Sequence, residues 1–238
     1  MNKPFVIVLS DKLRKLDRYL IMKHIQSKSL RNNIDAKAFY DWLDKQENIS
    51  LPNNVLFRFT TLKDGFSSLL SASAHQPNYI IASPEWASRL FLFDCEATRN
   101  AFSITLGHET THTEGDFSTK GFHGKNKKFI NWVNEVHADF GAAQKMVSSN
   151  KEKLLNSIDY KIAAKEEKKN ILLKLLEKTV LVFIKETSHP SWQQRRIYAE
   201  TGVFDKALIE NLAIDTGCTD KDLVNDVVNY YQEIVLND

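Results

Sequence analysis

Three observations predict an α+β fold that is mostly helical. Apolar residues recur at helical spacing over residues 10–47 and again from residue 96 onward. Two short runs rich in strand formers lie between them. The 238 residues, 42% hydrophobic and 26% charged, are enough to bury a sizeable core.

Taken in order, "SDKLRKLDRYLIMKHIQS" opens at Ser10, a good cap, and reads as a helix. "IDAKAFYDWLDKQ" carries Phe39, Trp42 and Leu43 at helical spacing and reads as a second. "NNVLFRFT" and "NYIIAS" are strand candidates, joined in a small sheet by residues 4–9. From "EATRNAFSITLGHETTH" the period is helical, with Phe102, Leu106 and Thr110 on one stripe. Gly115, Gly121 and Gly124 mark a mobile connection, and "KKFINWVNEVHADFGAAQKMVSS" is a strong helix. "KNILLKLLEKTVLVFIKE" is a mostly buried core helix, because Lys174, Lys178 and Lys185 rule out a membrane span. Three short helices follow Pro190, starting at Ser188, Asp205 and Thr219 and ending at Gly202 and Gly217.

Charge names no partner. The 32 basic and 30 acidic residues leave a formal net charge of +2, without the large positive field of a nucleic-acid-binding protein. Cys95 and Cys218 form no C-x-x-C pair, so neither a disulfide framework nor a cysteine zinc site is indicated. Cys95 is expected to be a buried, inert thiol. The N-terminal apolar run is too short for a signal peptide, and no stretch reaches the length of a membrane span. A cytoplasmic protein with no membrane span is expected.

The chemistry concentrates in "TLGHETTHTEGD". On a helix, His108 and His112 stack one turn apart and can present two imidazole nitrogens to one metal ion. Glu109, rotated by about 100° from His108, cannot join them as an equal ligand but can reach a water on the open side of the ion. The pattern arises by chance in about one such chain in a hundred, so the assignment turns on a third protein ligand. A metzincin arrangement fails: Gly115 is in place, but position 118 is Ser118 and His123 is out of register. Glu135, in "NEVHADFGAA", can supply the ligand from the next helix, with Asp139 one turn along the same face. Asp139 is then placed to accept the remaining ring N–H of a ligating histidine. The plainer reading, an acidic surface stripe, stays open for this pair.

"HETTH" followed by "EVHAD" resembles the gluzincin-type metallopeptidases of the HtpX and CAAX-prenyl-protease group. "SHPSWQQRRI" is similar to that group's H-P-x-x-x-x-R-I, matched by His189, Pro190 and Arg195. The resemblance covers about residues 75–200. "EVHADFGAAQKM" also resembles a pattern of the ImmA/IrrE regulatory peptidases. Familiar members of the first group are membrane-embedded, and this chain departs from them in having no span. The resemblance implies a zincin-like metallopeptidase domain over 51–200, preceded by an N-terminal helical segment over 1–50 and followed by C-terminal helices packed on it over 201–238. It implies one zinc ion per chain on His108, His112 and Glu135, with Glu109 as acid/base. Asp139 would support the ligands, and His189 and Arg195 would line the site.

The expected activity is peptide-bond hydrolysis in a peptide or protein substrate. His189 is read either as the oxyanion donor or as a helix cap, and Arg195 either as a site residue or as a partner of Asp139 or Glu135. "NYIIAS" is read as an exposed edge that takes up an extended substrate, or as an internal strand. The first 70 residues carry no motif and are read as a plug over the cleft. Two rivals stand: a non-catalytic regulatory or scaffold protein with a zincin-like fold, and a metal-free helical interaction protein.

Overall fold

The computed structural model describes residues 11–29, 34–49, 51, 54–61, 72–75, 79–167 and 189–236. The expected strand over 4–9, the cap at Ser10, the apolar helix over 169–186 and the helix start at Ser188 lie outside them. The chain divides into two compact units, Met1–Glu114 and Gly115–Asp238.

The first unit contains α1 (Asp11–Lys28), α2 (Ala36–Glu47), β1 (Leu56–Phe59), β2 (Ala72–His75), β3 (Tyr79–Ala82), α3 (Pro84–Leu92) and α4 (Glu96–Glu114). Its sheet has the order β1-β3-β2. β1 runs parallel to β3 with Leu56 opposite Tyr79, and β2 runs antiparallel to it with Ala72 opposite Ala82. "NYIIAS" is therefore the middle strand, bonded on both sides, which decides for the internal strand over the exposed edge. The alternating side chains of β1 put Phe57 and Phe59 on one face, where both are fully buried, and leave Leu56 exposed. Their rings meet Phe102 of α4 at 5.5 and 5.6 Å, and Trp86 of α3 closes on the same ring at 5.3 Å. An aromatic core thus fixes the N-terminal half of α4.

A polar clasp ties α1 and α2 to the end of β1. Arg14 binds both carboxylate oxygens of Glu47 at 2.5 Å and donates to the Phe59 carbonyl at 3.0 Å. Glu47 in turn accepts the Phe59 amide, and Asp17 accepts both the amide and the hydroxyl of Thr61. Buried carboxylates are tolerable here because each has several donors. Asp35 caps α2 through the amides of Lys37 and Ala38, and Pro84 takes the first turn of α3, where its missing N–H costs nothing.

The second unit is all helical among the described residues: α5 (Gly124–Val147), α6 (Lys151–Glu167), α7 (Trp192–Ala199), α8 (Lys206–Thr216) and α9 (Lys221–Leu236). α5 packs against α6, α7 and α8. Phe129, Val133, Val136, Leu212, Val227 and Tyr231 lead a single buried cluster. Ser191 caps α7 in a capping box with Gln194, and Asp205 caps α8. Asp220, not Thr219, accepts the first-turn amide of α9, from Leu223. Gly217 ends α8 at φ 70°, where a side chain would be strained.

The connection expected to be mobile is tied down. Asn134 donates to the Phe117 carbonyl at 3.1 Å, and the Tyr231 hydroxyl donates to Asn134 at 2.5 Å. Burial pushes the Tyr231 hydroxyl far above the ordinary phenol range, so it stays a neutral donor. Among the described residues no helix is long and apolar enough to cross a membrane.

Candidate metal centre

α4 is unusual in carrying polar residues inward. Thr105, Thr110 and Thr111 are buried, and each hydroxyl donates to the carbonyl four residues back, at 2.7, 2.8 and 2.9 Å. Back-bonding of this kind satisfies a hydroxyl within its own helix, leaving only its methyl for the core. One polar pair on the helix is not absorbed in this way. His108 is 5% exposed, and its Nε2 lies 3.1 Å from Nε2 of half-buried His112, with the rings edge to face. Two nitrogens bound to one tetrahedral zinc at the usual bond length stand about 3.3 Å apart, so this pair already fits the ion. Glu109 is half-buried on the same helix, and its carboxylate has no hydrogen bond or ion pair among the described residues. A general base requires such an open acceptor.

The second unit gathers four of the sequence-predicted residues. Nδ1 of His189 stands 2.9 Å from Oε1 of Glu135, and NH1 of Arg195 donates to Oε2 at 3.2 Å. Nε of Arg195 donates to Asp139 at 2.7 Å, and NH2 makes a second, very short bond to the other oxygen of Asp139. Arg195 and Asp139 are 6% and 4% exposed at the side chain, so the pair survives only because each satisfies the other. Arg195 thus takes the pairing role, with both carboxylates at once. His189 is not the cap of α7, a place held by Ser191. Its Nδ1 is turned to Glu135.

Three further histidines stand elsewhere. His24 faces Glu85 at 3.4 Å, His137 lies between the rings of Phe204 and Tyr231, and His123 precedes the first turn of α5. Cys95 is exposed, which corrects the expected burial, because it lies in the turn just before α4. Hydrogen bonding from Thr98 draws its thiol below the ordinary range. Cys218 is the buried thiol, and burial pushes its pKa up.

Sequence reasoning passed over Trp192 and Lys161. The Arg195 guanidinium lies 4.0 Å from the centroid of the Trp192 ring, and Lys161 Nζ lies 4.5 Å from it. The three-residue spacing of Trp192 and Arg195 on a helix was the available signal. No protein-family model, curated protein or solved structure matches the chain.

Proposed function

We propose that the chain is a zinc metallopeptidase with a gluzincin-type site on a zincin-like domain, its protein ligands being His108, His112 and Glu135. One observation carries this: the two imidazole nitrogens converge to 3.1 Å on a helix whose buried Thr105, Thr110 and Thr111 bond back to its own carbonyls. Two imidazoles and one carboxylate are a usual set of protein ligands for a hydrolytic zinc, leaving a fourth position open. Zinc, when bound, supplies Lewis acidity and lowers the pKa of a water to about 7.

The other steps belong to the chain. Glu109 takes a proton from the attacking water and passes it to the departing amine. Arg195 and His189 hold the two oxygens of Glu135, so the carboxylate is oriented before any ligand arrives. His189 is the donor to oxygen charge that develops on the substrate. The substrate is a peptide or protein. Two free thiols suit a reducing, cytoplasmic setting.

The non-catalytic regulator remains the second reading, and one observation favours it: both oxygens of Glu135 already have partners. Each carboxylate oxygen accepts up to two bonds, however, so one partner on each does not by itself bar a metal. Glu109→Gln separates the two. As a peptidase the variant keeps its zinc and loses about 10²- to 10⁴-fold in turnover of unstructured peptides. Unchanged turnover, or none in the parent protein, contradicts the peptidase.

A further inference from the structure

We propose that Trp192 is a positioning residue that fixes the Glu135 carboxylate through Arg195, with Lys161 of α6 as its anchor. The inference rests on the reading of Glu135 as a zinc ligand. Arg195 is gripped edge-on by two carboxylates: Asp139 takes Nε and NH2, and Glu135 takes NH1. Such contacts hold a planar guanidinium within its own plane and leave it free to tilt. The indole of Trp192, 4.0 Å from the guanidinium carbon, opposes the tilt. The orientation of Glu135 is then set in three dimensions, with His189 on its other oxygen.

Trp192 is itself only half-buried at the first turn of α7 and needs support. Lys161 supplies it from α6, the helix against which α7 packs. Its ammonium stands 4.5 Å from the same ring although the residue is only 8% exposed. Two cations over one indole are more than a packing contact requires, and both draw on the negative face of the ring. The chain Lys161, Trp192, Arg195, Glu135 carries the rigidity of a helix pair to a single carboxylate. Arg195 touches the ligand and not the metal, and groups so placed commonly change metal affinity by about 10- to 100-fold, with Trp192, one contact further out, at the lower end.

The test is a double-mutant cycle on the full chain, reading zinc affinity by competition with a chromophoric chelator. Glu135→Ala alone is expected to weaken zinc binding at least about 100-fold, and Trp192→Leu alone about 10-fold. In the Glu135→Ala background, Trp192→Leu is expected to cost nothing further, because its route to the metal is already gone. An equal loss from Trp192→Leu in both backgrounds marks a general structural role and overturns the proposal. Wild-type affinity in Trp192→Leu, with Glu135→Ala impaired, overturns it while sparing the zinc site. Wild-type affinity in Glu135→Ala removes the ligand assignment itself. Should Trp192→Leu fail to fold, Trp192→Phe enters the same cycle. Its expected loss is about threefold in the parent and none beside Glu135→Ala, and the same contrary outcomes apply.

Discussion

His108 in the first unit and Glu135 in the second are proposed for the same kind of work, but they are held in place by different means. The two histidines of α4 need only the helix: four residues of spacing bring their nitrogens to 3.1 Å, and the aromatic core beneath Phe102 does no more than seat the helix. Glu135 depends on a partner 60 residues further along the chain, Arg195, which is itself bound to Asp139 and stacked on Trp192. One arrangement is local and stiff, and the other is a network. The difference teaches that substitutions around α4 stay confined, whereas substitutions around Glu135 spread.

The largest effect expected is on the local pair. His112→Ala should weaken zinc binding on the order of a thousandfold, since a site worth on the order of 12 kcal/mol is shared among three ligands. Its melting temperature without zinc should hardly move, and a large drop there breaks the contrast. Arg195→Met should both loosen Glu135 and lower the stability of the protein itself. It takes both Arg195 bonds from the buried Asp139 carboxylate, with an expected loss of about 3–5 kcal/mol of stability seen in urea titration, zinc or no zinc. The thiols give a third contrast, read by mass spectrometry after iodoacetamide treatment near pH 8. Cys95, exposed and drawn down by Thr98, should label at least about tenfold faster than Cys218, buried and pushed up. Comparable rates contradict that placement. The smallest effect is Thr110→Val, which keeps the shape and removes a hydroxyl bonded only within its own helix. It should change stability by less than about 0.5 kcal/mol, and a loss above about 2 kcal/mol shows that the hydroxyl serves something outside α4.

What the sequence made legible follows the same line between local and distant. α1, α2, α4 and α5 appear where apolar spacing and caps predict them, and β1 and β3 fall on the two runs rich in strand formers. β2 was not legible, because "ASAH" has no strand-forming side chains and owes its conformation to pairing with β3. That same pairing makes "NYIIAS" a middle strand, a choice the sequence left open. α3 and α6 went unread for another reason. The first is nine residues long, and the second spreads its buried positions, Leu154, Ile158 and Lys161, among many charges. At the candidate centre, His108, Glu109 and His112 stand out by spacing alone. The bond from Arg195 to Asp139 joins helices that no local pattern connects, and was legible only as one alternative for Arg195. Phe117, which ties down a glycine-marked connection, was hidden by its glycine neighbours.

Zinc K-edge X-ray absorption on the purified full-length protein tests the central claim most directly. One zinc per chain is expected, in a shell of nitrogen and oxygen at about 2.0–2.1 Å that carries the scattering signature of two imidazoles. A shell containing sulfur at about 2.3 Å, or a protein that takes up no zinc, contradicts the account.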